Sequence, residues 1–164
     1  MKLRFFLSFF ILSILLFSSF EAKALLFDTI IPPPVFKIDT MMRISYGSCY
    51  GNCPQYDLII FNDGTAVWNG YKNISVGQHV TRLNRLQTLD LEKLAYNEVI
   101  WNGPEIFPSP KAFITDFPNR KLFIKNKDKV KNILVNHSPS TEIKRLEDKL
   151  RSIKDDVEWY SISN

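Results

Sequence analysis

The sequence predicts an α+β domain, with a mostly antiparallel sheet of about five to seven strands and two helices. Three observations predict it. Tyr56–Phe61 and Thr65–Tyr71 are β-branched and aromatic runs separated by Asn62-Asp63-Gly64, and Asp-Gly between two such runs is the strongest short-range hairpin signal. Two further strand-like runs follow later, at Lys121–Lys125 and Val130–Val135. Near the end of the chain Ile143, Leu146, Leu150, Ile153 and Val157 fall at steps of 3, 4, 3 and 4, which is one apolar stripe on a helix. Sheet, helix, more sheet and a last amphipathic helix make an α+β order.

The elements are justified in chain order. Lys2 and Arg4 precede an uncharged run of 16 residues, Phe5 to Phe20, and Glu21-Ala22-Lys23-Ala24 follows with small residues in A-x-A spacing. That is the pattern of a signal peptide, expected over 1–24. The run is shorter than the roughly 20 apolar residues of a spanning helix, so no transmembrane segment is expected after cleavage. No cysteine follows the run until Cys49, which argues against a lipid-modified start. Residues 25–42 contain Pro32-Pro33-Pro34. They read as an extended arm or linker, because consecutive prolines favour polyproline II and exclude a helix.

A single α+β domain is expected over 43–160. If Asp63-Gly64 is a two-residue loop, Phe61 pairs with Ala66, Ile59 with Trp68 and Ile60 with Val67. Both faces of that hairpin are apolar, which places it inside a sheet covered on both sides. Gly77–Leu83 adds a strand. A helix follows, with Thr88 or Asp90 as its cap and Leu91, Leu94, Ala95 and Val99 on one face; Asn102-Gly103-Pro104 stops it. Residues 102–110 read as a proline-rich loop, Ala112–Phe117 as a strand and Pro118-Asn119 as a turn. Lys125–Lys131 reads as a solvated basic turn. The final helix is capped by Ser138 or Ser140, with Glu147 and Arg151 as an i, i+4 pair on its outer side and Asp155-Asp156-Val157-Glu158 as its solvated end.

Composition bounds the function. With 164 residues, 45% hydrophobic and 23% charged, the chain has the balance of one globular domain. Removing residues 1–24 takes away Lys2, Arg4, Lys23 and Glu21, so the formal charge falls from +4 to +2. That is no footprint for nucleic acid. Walker, dinucleotide and His-Glu-x-x-His motifs are absent, and no cofactor is expected.

Chemistry concentrates in Ser48-Cys49-Tyr50-Gly51-Asn52-Cys53-Pro54-Gln55-Tyr56. In extended chain, cysteines at i and i+4 lie about 13 Å apart, whereas a disulfide needs less than about 7 Å. Gly51 and Asn52 tolerate positive φ and allow the turn that brings them together. Pro54 then sets the chain direction into the Tyr56 strand. In an exported chain an even cysteine count favours a structural bridge between Cys49 and Cys53. Two alternatives stay open: a redox pair, although the spacing is C-x3-C instead of C-x2-C, and soft-metal capture, with Cu(I) the natural guess. C-x3-C-Pro is similar to the motif of the Sco-type copper chaperones, which add a distant His; His137 or His79 would serve, with Met41 and Met42 as nearby soft donors. Those chaperones have a helix after the motif, and here a hairpin follows.

Cys49-Tyr50-Gly51-Asn52-Cys53-Pro54-Gln55-Tyr56-Asp57-Leu58, then Asp63-Gly64-Thr65 and a strand reaching Gly70, resembles a domain-of-unknown-function family of mostly exported bacterial proteins. Its members carry Cys-[Phe/Tyr]-Gly-x-Cys-Pro-x-Tyr before an Asp-Gly hairpin and end in an amphipathic helix with a late Trp, here Trp159. The resemblance spans about residues 43–160 and implies a small exported α+β domain, no activity, and no site residue beyond the cysteine pair. The reading is therefore an exported, non-enzymatic binding or envelope-associated module, periplasmic or extracellular; the sequence names no partner, and an envelope protein or surface is the candidate. The alternative is a thiol-based copper or redox protein using Cys49 and Cys53.

Overall fold

A computed structural model describes residues 38–162; the expected signal peptide and most of the arm lie outside them. Eight strands form one sheet: β1 (Thr40–Tyr46), β2 (Gln55–Phe61), β3 (Thr65–Lys72), β4 (Gly77–Arg82), β5 (Ile106–Phe107), β6 (Arg120–Asn126), β7 (Lys129–Val135) and β8 (Tyr160–Ser161). Their order across the sheet is β5-β7-β6-β1-β2-β3-β4-β8. Every pairing is antiparallel except β5 with β7. The fold is α+β, as the sequence predicts. Its strand count exceeds the expected range because β5 and β8 are two residues each, too short to leave a pattern in the sequence.

Alternation decides which face is buried. In β2, Tyr56, Leu58 and Ile60 point inward, and in β3 Ala66, Trp68 and Gly70 do the same. All of these but Gly70 join Met42, Ile44, Leu122, Ile124 and Ile133 in one core with residues from the helices. Those helices are α1 (Arg85–Ala95), α2 (Glu98–Asn102) and α3 (Thr141–Asp156). The hairpin was expected between two covered faces. Its other face, with Asp57, Ile59, Val67 and Asn69, is only half-buried.

The register differs from expectation by one residue. Ile60 pairs with Ala66, Ile59 with Val67 and Leu58 with Trp68. The loop has three residues, not two: Gly64 N–H donates to the Phe61 carbonyl at 3.1 Å, and Gly64 follows that turn with φ +84°. This is the turn-plus-bulge hairpin, in which glycine occupies the left-handed position. The shift puts the inward residues of both strands opposite one another.

The first helical segment is not continuous. Asn84, not Thr88 or Asp90, caps α1, and Gln87 closes a capping box with it; each side chain accepts a backbone N–H at the helix start. The chain breaks after Tyr96, and Asn97 caps α2 through Val99 N–H at 2.8 Å. Ala112–Phe117, expected as a strand, is irregular: a 3₁₀ turn covers Pro110–Ala112, and a turn closes from Ile114 to Phe117. The reason is Asn136, 2% exposed. Its side-chain amide accepts from Ile114 N–H at 2.9 Å and donates to the Ile114 carbonyl at 3.1 Å, taking the backbone groups a strand would need.

α3 is capped by Ser140 and carries its predicted stripe inward. Glu147 corrects the expected outer pair with Arg151. It is 4% exposed and accepts from Arg120 Nε at 2.7 Å, while Arg151 pairs with Asp148 at 3.6 Å and donates to the Tyr46 hydroxyl at 3.3 Å. Lys131, expected in a solvated turn, is also buried. Its ammonium donates to the Trp101 and Gly103 carbonyls at 2.9 and 2.8 Å, where a cation meets the negative end of α2.

Candidate functional site

Residues 47–54 link β1 to β2 and hold the two cysteines. Cys49 and Cys53 form a disulfide with their Cα atoms 5.9 Å apart, inside the range a bridge requires. Gly51 permits the turn with φ +125°, and a Cβ there would meet nothing within 4 Å. Glycine is needed at this position for its backbone angle alone.

The loop is fixed at both ends and near its tip. Gly47 N–H donates to the Asn119 carbonyl at 2.9 Å, and Tyr50 N–H donates to the Asp116 carbonyl at 3.3 Å. On the other side Asn73 Nδ2 donates to the Cys53 carbonyl at 3.1 Å. Asn73 sits in the β3–β4 turn at φ 57°. These bonds set the loop beside residues 112–119, whose Ile114 and Phe117 are exposed. Tyr50, at the tip, is 88% exposed. A hollow of about 290 Å³ opens at the base of the loop, between Ser45, Gly47, Ser48, Asn119 and Lys121.

Behind the loop the strand residues turn inward. Tyr56 is 3% exposed and stacks on Tyr46 with ring centroids 4.7 Å apart. Burial, then the neighbouring Tyr46 hydroxyl, pushes the Tyr56 phenol far above its ordinary range, so it stays protonated. Lys154 lies over the Tyr56 and Trp68 rings at 5.7 and 5.8 Å. Pro54 is exposed where the loop enters β2. At the far end of β2, the Asp63 carboxylate accepts from Thr65 N–H and Thr65 Oγ1, both at 2.9 Å. The Thr65 backbone bond is the main reason its carboxyl lies below the usual range.

The histidines do not join the sulfurs. His137 Nε2 is bonded to the Ala112 carbonyl and Nδ1 to Ser138 Oγ, both at 2.9 Å, and its ring meets Phe117 edge-on at 5.9 Å. His79 stacks on Trp68 at 4.6 Å, with Nδ1 3.1 Å from Ser161 Oγ. Met41 and Met42, expected as nearby soft donors, are 3% and 1% exposed. A bulge between Thr40 and Met42 turns both into the core. Among the described residues no group of three or more His, Cys, Asp or Glu is arranged to hold a metal ion.

Ile114, Phe117 and Asn119 were missed as members of this site. Nothing in their local spacing ties them to Cys49; the ties are backbone bonds across roughly seventy residues of chain. The one sequence signal was Pro110 and Pro118, which bracket the segment and disfavour a central strand.

A family model described as a domain of unknown function (DUF6438) matches residues 40–154. No curated protein matches the chain. The chain belongs to the DUF6438 family.

Proposed function

We propose that this DUF6438 protein is exported and acts as a binding module with no chemistry of its own, engaging an envelope protein through Tyr50, Ile114 and Phe117. Export rests on the leader pattern of residues 1–24, with cleavage after Ala24 and residues 25–42 as an arm. A disulfide-bonded pair, and the lack of any helix long and apolar enough to cross a membrane among the described residues, are compatible with that reading.

The observation that carries the proposal is Tyr50. An aromatic side chain 88% exposed has no role in packing, yet its loop is held by a disulfide and by bonds to two other loops. Fixing a loop before binding lowers the ordering cost of association, and Tyr is enriched among residues that dominate binding energy. Cys49, Gly51, Cys53 and Pro54 then shape the loop, and Tyr56, Asp63 and Gly64 support the hairpin behind it.

The test is photo-crosslinking in the native host with Tyr50→p-benzoylphenylalanine at native expression. One adduct of discrete mass in the envelope fraction, lost on adding Phe117→Ala, is the expected result. Diffuse adducts, or an adduct insensitive to Phe117→Ala, overturn the recognition surface. N-terminal sequencing of the recovered protein tests export separately; the expected first residue is Leu25.

A further inference from the structure

We infer that the sheet face away from the helices holds a binding site for a small organic carboxylate with an aryl body, bound between Arg43 and Lys121. The inference does not rest on the disulfide loop being a recognition surface.

A groove of about 320 Å³ lies on this face, at the lower end of the size of small-molecule sites. The register builds it. Arg43 on β1 pairs with Phe123 on β6, and Ser45 pairs with Lys121. Residues one apart on a strand point to opposite faces, and those two apart share a face. Arg43, Ser45, Lys121 and Phe123 therefore stand together. On β7, Asn132 lies opposite Phe123 and Leu134 opposite Lys121. Ile106 of β5 extends the apolar wall beside Leu134.

Neither Arg43 nor Lys121 takes part in an ion pair among the described residues. Arg43 lies 5.9 Å over the Phe123 ring, which turns its guanidinium along the apolar floor. Glu105 is the one acidic residue lining the groove, so the lining carries a net charge of +1 and suits a monoanion.

The chemistry selects the ligand. A guanidinium matches the two coplanar oxygens of a carboxylate, and an ammonium adds a point charge. The Ser45 hydroxyl and Asn132 amide supply neutral hydrogen bonds. Phe123, Leu134 and Ile106 accept a flat apolar body by contact and stacking. Ser45 and Lys121 also line the hollow under the disulfide loop, so the anionic head binds where the two openings meet.

The experiment is an amide-resolved NMR titration of the purified protein with 2-naphthoate, alongside its neutral counterpart 2-naphthalenemethanol. The expected result is saturable shifts confined to the amides around Arg43, Lys121, Phe123 and Asn132. The alcohol should bind at least tenfold more weakly. The double variant Arg43→Gln/Lys121→Gln should lose at least tenfold in naphthoate affinity with its thermal midpoint unchanged, and Glu105→Gln should gain two- to threefold. No saturation by 10 mM naphthoate, equal affinity for the alcohol, or full affinity in the double variant overturns the site. If vesicles of phosphatidylglycerol shift these amides and naphthoate does not, the face docks on membranes and the proposal is wrong.

Discussion

The two turns that flank β2 solve the same geometric problem in opposite ways. The turn at Phe61–Thr65 looks inward. Gly64 is buried, the Leu83 N–H donates to its carbonyl at 2.9 Å, and a Cβ at Gly64 would lie 3.2 Å from both the Leu83 carbonyl and Thr88 Oγ1. Asp63 spends its carboxylate on Thr65. The turn at 47–54 looks outward: a covalent bridge and backbone bonds hold it, and its largest side chain faces solvent. A turn held by packing has no side chain to offer a partner, whereas a turn held by its backbone and a disulfide leaves its side chains free. The second kind is where binding function is to be sought on this sheet.

Four measurements break or sharpen that contrast. The largest effect is expected at Gly64. Gly64→Val forces a β-branched residue to positive φ against a packed neighbour and should cost about 2 kcal/mol or more. Gly51→Ala, with the same backbone demand but open space, should cost about 1 kcal/mol. Denaturant midpoints compare them, and equal costs would erase the distinction between the two turns.

Next come the cysteines. A loop this short gains about 2 kcal/mol from its bridge. Cys49→Ser and Cys53→Ser should each lose about that amount, and the double variant little more, because the two residues share one interaction. Additive losses would mean that the side chains act separately. Intact mass without reductant gives an independent check: the bridged form is two hydrogen atoms lighter than the dithiol.

Acid should distinguish the turns in a smaller way. Asp63 has a folded pKa below its ordinary value of 3.8. The stability it contributes is present above that value and is lost as pH falls through the lower, folded value. In Asp63→Asn this component is gone at every pH. The gap in thermal midpoint between wild type and variant should therefore close as pH drops below about 4. A constant gap would mean that the Asp63 charge is irrelevant to its turn. The disulfide of the other turn does not titrate, so its contribution should persist through the same range.

The smallest effect on stability belongs to Tyr50. Tyr50→Ala removes a side chain with almost no packing and should move the midpoint by no more than about 0.5 kcal/mol. A loss above 1 kcal/mol would show that the ring packs in solution and would weaken the case for it as a contact residue.

Local pattern made much of this legible in the sequence. The cysteine pair and its turn, the Asp-Gly hairpin, the β6–β7 pair and the α3 stripe all express themselves within a few residues. What escaped was held by distant partners. Glu147 sits one step off the apolar stripe, and only Arg120, 27 residues away, makes its burial tolerable, since a buried charge needs a partner. Ala112–Phe117 has strand composition, but Asn136 claims the Ile114 backbone. The hairpin register turned on one residue: Asp-Gly fits both a two-residue and a three-residue loop, and the core chose the one that aligns Ile60 with Ala66.

The sheet's outer borders carry a consequence for self-association. β7 and β4, the outermost long strands, are each partly covered by a two-residue strand, β5 or β8. An uncovered long strand is a template on which a second molecule can add its own strand. Here the template is interrupted. Pro104 and Pro108, which have no N–H to donate, flank β5 and stop it from lengthening, and the exposed Lys129 adds charge at the start of β7. Among the described residues a neighbouring molecule thus meets a shortened free edge on each side of the sheet, which disfavours stacking strand on strand.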